Sequence, residues 1–94
     1  MIRSFAGAET QREFRRLSCR HFSVELQRTA YRKLVLLDAA ESISDLRIPP
    51  GSRLEKLRGI RQGQHSIRIN NQWRICFVWR NGDAHEVEIS DYHR

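Results

Sequence analysis

Residues 72–89 read Gln72-Trp73-Arg74-Ile75-Cys76-Phe77-Val78-Trp79-Arg80-Asn81-Gly82-Asp83-Ala84-His85-Glu86-Val87-Glu88-Ile89. Trp73, Ile75, Phe77 and Trp79 alternate with Arg74, Cys76 and Val78, the period of a strand with one buried face. Asn81-Gly82 is a hairpin signal, because both residues tolerate positive φ. His85, Val87 and Ile89 then continue as the partner strand. A strict two-residue loop would set Ile75 against Glu88 and Phe77 against Glu86, burying two carboxylates on the apolar side. A three-residue loop, Asn81-Gly82-Asp83, pairs Phe77 with Val87 and Ile75 with Ile89. The pattern therefore predicts a hairpin with a bulge at Gly82.

Working upstream, His65 to Ile69 alternates with Ile67 and Ile69 on one face, and Leu54 to Arg58 is a weaker strand candidate. A turn at Asn70-Asn71-Gln72 pairs Ile69 with Trp73 and Ile67 with Ile75. It also sets Arg68 opposite Arg74 on the other face. Like charges directly opposed on a sheet are destabilising, so either an anion binds between them or each pairs with a carboxylate, for which Glu86 and Glu88 share the face. Trp73 and Trp79 lie on the apolar stripe and are read as core.

The character of the chain changes at Pro49-Pro50-Gly51. Before it, Ser23 is a plausible N-cap with Glu25 in the first turn, and Leu26, Ala30, Leu34 and Leu37 recur at helical spacing. That helix should fade near Glu41 or Ser42, with Ile48 tethering the loop beyond. Glu9 to Leu17 reads as a shorter helix with Phe14 and Leu17 inward, and Ile2 to Ala6 as a short first strand. Helices followed by strands imply an α+β fold. A chain of 94 residues is read as one domain, residues 1–94.

Composition sets outer limits. The length excludes a large cofactor-dependent enzyme. No apolar run approaches the ~18 residues of a membrane span, no leader-like segment opens the chain, and two cysteines, Cys19 and Cys76, suit reduced thiols in the cytoplasm. No Cys/His spacing matches a zinc site. The formal net charge is +6, and 15 of the 17 basic residues are arginine. Residues 50–80 alone carry seven basic groups (Arg53, Lys56, Arg58, Arg61, Arg68, Arg74 and Arg80) against the single acid Glu55. Arginine's planar fork suits phosphate, so this concentration points to a polyanion or to a solvated basic face. The chain ends Asp91-Tyr92-His93-Arg94. A His and a Tyr after the last strand could reach the arginine-bearing face, and His is the usual acid/base group near neutrality.

These residues together resemble a known family. Arg53-Leu54-Glu55-Lys56-Leu57-Arg58-Gly59, Gly63-Gln64-His65-Ser66-Ile67-Arg68-Ile69-Asn70, Gln72-Trp73-Arg74-Ile75-Cys76-Phe77 and the closing Asp91-Tyr92-His93 look like the HigB branch of the RelE/ParE toxin superfamily, as does the opening Ile2-Arg3-Ser4-Phe5. The resemblance runs from residue 2 to residue 93. It implies two N-terminal helices packed on one face of a small antiparallel sheet, and the toxin of a type II toxin–antitoxin pair. It further implies a ribosome-dependent endoribonuclease that cuts mRNA without metal or cofactor. The partner implied is a helix-turn-helix antitoxin of the HigA kind, through which alone operator DNA is met.

Carried over position by position, Arg74 matches the family's phosphate-contacting arginine. His93 matches the C-terminal acid/base histidine, Tyr92 the adjacent active-site tyrosine, and Asp91 the acid beside it. Arg58 stands where lysine is common; it keeps the charge but cannot give up a proton at neutral pH. Glu55 stands where some members have histidine, and is a base or a charge partner for Lys56 or Arg58. Ile60 stands where an acid is common. Arg53, Lys56, Arg61 and Arg68 complete the expected phosphate surface. Two rival functions remain open on the same fold: a gyrase-poisoning toxin of the ParE type, and a non-catalytic RNA- or protein-binding module.

Overall fold

The computed structural model describes residues 1–15, 22–47 and 50–91. Helix α1 spans Ala8–Phe14 and α2 Val24–Ala39. Four strands follow: β1 Glu55–Lys56, β2 His65–Arg68, β3 Trp73–Arg80 and β4 Asp83–Asp91. They form an antiparallel sheet in the order β1-β2-β3-β4. Short 3-10 turns at Ile43–Arg47, Pro50–Ser52 and Gly59–Arg61 complete the described chain.

Helix α2 begins where its sequence says it should. Ser23 is extended at ψ 159°, and its Oγ accepts from the Leu26 amide at 3.1 Å, satisfying one of the donors that a helix start leaves open. Leu26, Ala30, Leu34 and Leu37 are all buried, and they pack with Ile67, Ile69, Ile75, Phe77, Val87 and Ile89 of the sheet. Both helices thus contribute to an α+β fold, as expected. The helix stops at Ala39, two or more residues earlier than its composition suggests. The Asp45 carboxylate takes the Glu41 and Ser42 amides at 2.9 and 3.1 Å, which starts a new turn in place of another helical one. Those two amides hold the Asp45 carboxyl below its ordinary range. Leu17, Ile48 and Cys19 lie outside the described residues.

The β3–β4 hairpin corrects one expectation. Arg80 pairs with Asp83, Trp79 with Ala84 and Val78 with His85, so Asn81-Gly82 is a strict two-residue loop, with φ of 54° and 79°. Beyond it the register shifts, and Cys76 pairs with Glu88 and Ile75 with Ile89. The extra residue therefore sits in β4 rather than in the turn. Glu86, at φ 52°, marks the place. Its amide donates to Ser4 Oγ at 2.9 Å and the Val87 amide donates to the Ser4 carbonyl at 3.0 Å. The N-terminal segment holds the bulge, and the bulge returns Val87 and Ile89 to the apolar face.

That segment is not a continuous strand. Ile2 and Phe5 each make an isolated parallel bridge, to Ala84 and Val87. Further along the edge, the Ile89 amide donates to Thr10 Oγ1 of α1 at 2.9 Å. The expected strand over Leu54 to Arg58 shortens to Glu55–Lys56, although the Leu57 amide still bonds the Gln64 carbonyl at 2.9 Å. Ile67 pairs with Ile75 and Arg68 with Arg74, as the turn at Asn70-Asn71-Gln72 requires. Trp73 and Trp79 are half-buried at the margin of the core.

Candidate active site on the sheet face away from the helices

Alternation along the strands sends Ser66, Arg68, Arg74, Cys76, Glu88 and Ser90 to the face opposite the helices. This face is nevertheless closed. Ser66 and Cys76 are fully buried and Arg74 is 7% exposed. Burial pushes the Cys76 thiol above its ordinary range, so it is a packing residue, as its strand position suggests.

Arg74 sits in the middle. Its Nε donates to Ser66 Oγ at 2.7 Å, and its Nη2 donates to the Arg53 carbonyl at 2.7 Å. The Glu55 carboxylate lies 3.7 Å from Nη2 and is half-exposed. Among the described residues the carboxylate at ion-pair distance from Arg74 is Glu55, rather than Glu86 or Glu88, and Glu55 serves neither Lys56 nor Arg58 in an ion pair. Arg53 itself has φ 42°, a region that side chains other than glycine enter at a cost. Its own side chain is exposed.

The second arginine of this face is Arg61. Its Nη2 donates to Glu88 Oε1 and to Ser90 Oγ, both at 3.0 Å, and its Nη1 to Gln64 Oε1 at 3.1 Å. It ties the 57–64 loop down over β4. Leu57 is buried beneath that loop, whereas Arg58 and Ile60 are fully on the outside. An open polar groove runs beside the tie, lined by Arg61, Trp73, Glu88, Ser90 and Asp91. Asp91 ends the described part of β4 opposite Trp73, one step past the Arg74–Ser90 pair, and its carboxylate accepts from Gln72 Nε2 at 3.0 Å.

The remaining expected residues separate from this group. Arg68 is the cross-strand partner of Arg74, but its guanidinium bonds Asn71 Oδ1. Lys56 pairs with His65 across the strands and so belongs to the helix side of the sheet. There His65 stacks on Phe77, and its Nδ1 is buried without a hydrogen-bond partner. Partial burial, with Lys56 and Arg47 nearby, holds the His65 imidazole below its ordinary pKa. On the same side, burial and the charges of Arg32 and Arg68 lower the Lys33 ammonium, which donates to the buried Ser52 Oγ at 2.7 Å. Tyr92 and His93 lie outside the described residues. Ser66 and Ser90 were missed as site residues; the register that opposed Arg68 to Arg74 also put Ser66 on that face, which was the available signal. Among the described residues, no group of three or more His, Cys, Asp and Glu is placed to hold a metal ion. No described helix is long and apolar enough to cross a membrane.

A buried arginine at the centre of a four-stranded sheet, with two helices behind it, defines a small α+β protein of the RelE-like kind. The solved structures agree on the fold. YafQ from E. coli strain BL21(DE3) matches with a TM-score of 0.59 at 10% identity, over 98% of this chain and 94% of that one. A YafQ mutant matches equally broadly, at 0.58. The family follows from sequence: the profile of the HigB-like toxins, described as the RelE-like toxin of type II toxin–antitoxin system HigB, matches residues 4–93. The chain belongs to this family. It is 51% identical over 59 residues to Toxin HigB-1 of Vibrio cholerae, covering 63% of this chain and 62% of that protein. It is 38% identical over 61 residues to Endoribonuclease HigB of Proteus vulgaris, covering 65% of each. The matched stretch thus spans a little under two thirds of the length of both relatives.

Proposed function

We propose that the chain is the toxin of a type II toxin–antitoxin pair and acts in the cytoplasm as a ribosome-dependent endoribonuclease on mRNA. The observation that carries this reading is Arg74, buried at 7% exposure on the sheet face from which the chain runs through Ser90 and Asp91 to Tyr92 and His93. The name of the Proteus vulgaris relative, Endoribonuclease HigB, supports it.

The chemistry uses the RNA's own nucleophile. The 2′-hydroxyl oxygen attacks the adjacent phosphorus, the P–O5′ bond breaks, and the products are a cyclic phosphate and a free 5′-hydroxyl. Arg74, with Arg53 and with Arg58 or Arg68, supplies the positive potential that stabilises charge developing on the phosphate. His93 protonates the leaving oxygen or positions the scissile phosphate, and Tyr92 orients the nucleotide. Glu55 and Asp91 are the further candidates for accepting a proton or orienting a neighbour. Arg61 contributes to holding the RNA. A helix-turn-helix antitoxin of the HigA kind neutralises the toxin and carries any contact with operator DNA.

The test is growth arrest and mRNA cleavage on ribosomes with Arg74→Ala and with residues 92–94 deleted. Both variants are expected to lose toxicity and cleavage. Full toxicity in both sinks the assignment. Growth arrest by the unmodified chain with DNA damage and intact mRNA would favour the gyrase-poisoning reading.

A further inference from the structure

We infer that the side chain meeting the RNA phosphate is Arg53, and that Arg74 is its positioning residue, turning the Arg53 backbone outward by gripping its carbonyl. The inference rests on the nuclease reading and divides the labour among its arginines.

Three observations carry it. The Arg74 guanidinium is spent inside the protein: Nε on Ser66 Oγ, Nη2 on the Arg53 carbonyl, both at 2.7 Å, with the Glu55 carboxylate 3.7 Å away. A fork committed in this way fixes geometry and offers little to an incoming ligand. Second, Arg53 holds φ 42°, in the left-handed region, without being glycine. Such a conformation persists only where surrounding contacts enforce it, and the 2.7 Å bond from Arg74 to its carbonyl is such a contact. Third, Arg53 is exposed, whereas Arg74, which grips its carbonyl, is buried. The unusual backbone therefore delivers a free cation to the rim of the site, where a phosphate oxygen can accept its fork.

The arrangement also accounts for Arg68 opposite Arg74. Arg74 is neutralised from β1 through Glu55, and Arg68 is turned to Asn71. No anion between the two is needed to hold the pair in register.

The experiment is a two-residue cycle read by steady-state cleavage of a defined mRNA on ribosomes. Arg53→Gly removes the guanidinium and adopts φ 42° freely, so it keeps the loop. Arg74→Lys keeps one charge but replaces the planar fork, whose Nε and Nη2 reach Ser66 Oγ and the Arg53 carbonyl at the same time, with a single nitrogen. Each single change is expected to lower kcat/KM by about a hundredfold, the scale of one lost oxyanion donor. The double variant is expected to be no worse than the poorer single. Losses that multiply, or an Arg53→Gly variant that cleaves normally, overturn the inference. Arg53→Lys should recover part of kcat, which a purely structural role for Arg53 would not give.

A second measurement separates the two readings. Side-chain NεH signals of Arg53 and Arg74 are followed by NMR as an oligonucleotide with a 2′-deoxy scissile position is added. Movement of Arg53 with Arg74 unmoved supports the inference even if the unmodified chain cleaves nothing, in which case only the nuclease reading falls. Movement of Arg74 alone overturns the inference whatever the cleavage result.

Discussion

The two faces of strand β3 are buried almost equally and by different physics. On the helix side, Ile75 and Phe77 are fully inaccessible among leucines of α2 and aliphatic residues of β4. On the other side, Cys76 is equally inaccessible and Arg74 nearly so, yet what closes this face is a set of directed bonds from Arg74 and Arg61. Apolar packing is indifferent to direction, so it stabilises the fold without specifying any outward geometry. Hydrogen bonds are confined to a narrow range of distance and angle, so the second face fixes where Arg53, Glu55 and Ser90 stand. The contrast predicts that damage to the first face is global, and that damage to the second is local and chemical.

The largest effect belongs to the packed face. Phe77→Ala leaves a cavity where a fully buried ring stood and should cost about 3–5 kcal/mol. Because small domains hold only about 5–15 kcal/mol in total, urea titration should show a much lower midpoint, and any lost cleavage should follow the fraction unfolded. A midpoint shift worth under about 1 kcal/mol would mean that the two faces do not divide the work in this way.

The next effect tests the bonded face. Ser66→Ala changes little volume but strips a buried charged donor, Arg74 Nε, of its 2.7 Å acceptor. The expected stability loss is about 1–3 kcal/mol. Cleavage at a temperature where the variant is fully folded should still fall. If cleavage per folded molecule is unchanged, the bonded face is merely a second core.

The same contrast explains which parts could be read from the chain. The helix side rests on periodicity: Leu26, Ala30, Leu34 and Leu37 at helical spacing, and Ile75 against Ile89, are legible because burial repeats with the period of the backbone. The need for one extra residue in the β3–β4 hairpin is legible too. Its location is not, because glycine makes the turn look cheapest, whereas the bulge is held at Glu86 by Ser4, 82 positions away. The far face suffers the same limit. That Arg74 shares it with Ser66 and Arg68 follows from register, but that its counter-charge is Glu55 depends on how a short edge strand is placed. The left-handed turn at Arg53 follows from a tertiary bond, and nothing local announces it. Position singles out Tyr92 and His93 only as a Tyr and a His after the last strand; the family resemblance supplies their roles, which no periodicity reaches.

A smaller effect depends on pH and lies at the boundary of the packed face. His65 stacks on Phe77 with its Nδ1 buried and without a hydrogen-bond partner, while Lys56 and Arg47 stand near. Its folded pKa is depressed below the ordinary value of 6.5, so in the window between the two values the unfolded chain binds more protons. Stability from this residue is therefore complete above pH 6.5 and declines as pH falls through that window towards the folded pKa. One proton limits the slope to about 1.4 kcal/mol per pH unit. Denaturation between pH 8 and 5 should show this decline, and His65→Phe should flatten it. A decline untouched by the substitution assigns the titration elsewhere.

The smallest effect separates the two arginines of the bonded face. Arg61 and Glu88 meet at 3.0 Å, but their side chains are 35% and 38% exposed, so water and salt compete for both. Pairs of this kind couple by about 0.2–1 kcal/mol, and at 1 M salt a Debye length near 3 Å removes most of that. Glu88→Gln should therefore lower stability slightly at low salt and hardly at all at 1 M, since the amide oxygen still accepts from the guanidinium. Ser66→Ala should behave oppositely, with a loss that salt leaves in place, because Arg74 is bonded where ions do not enter. If both losses vanish together in salt, Arg74 is solvated like Arg61 and its grip on Arg53 is too loose to hold the left-handed turn. If neither vanishes, the Arg61 tie is as dry as the Arg74 fork, and the 57–64 loop is a fixed wall of the site rather than a tether over it.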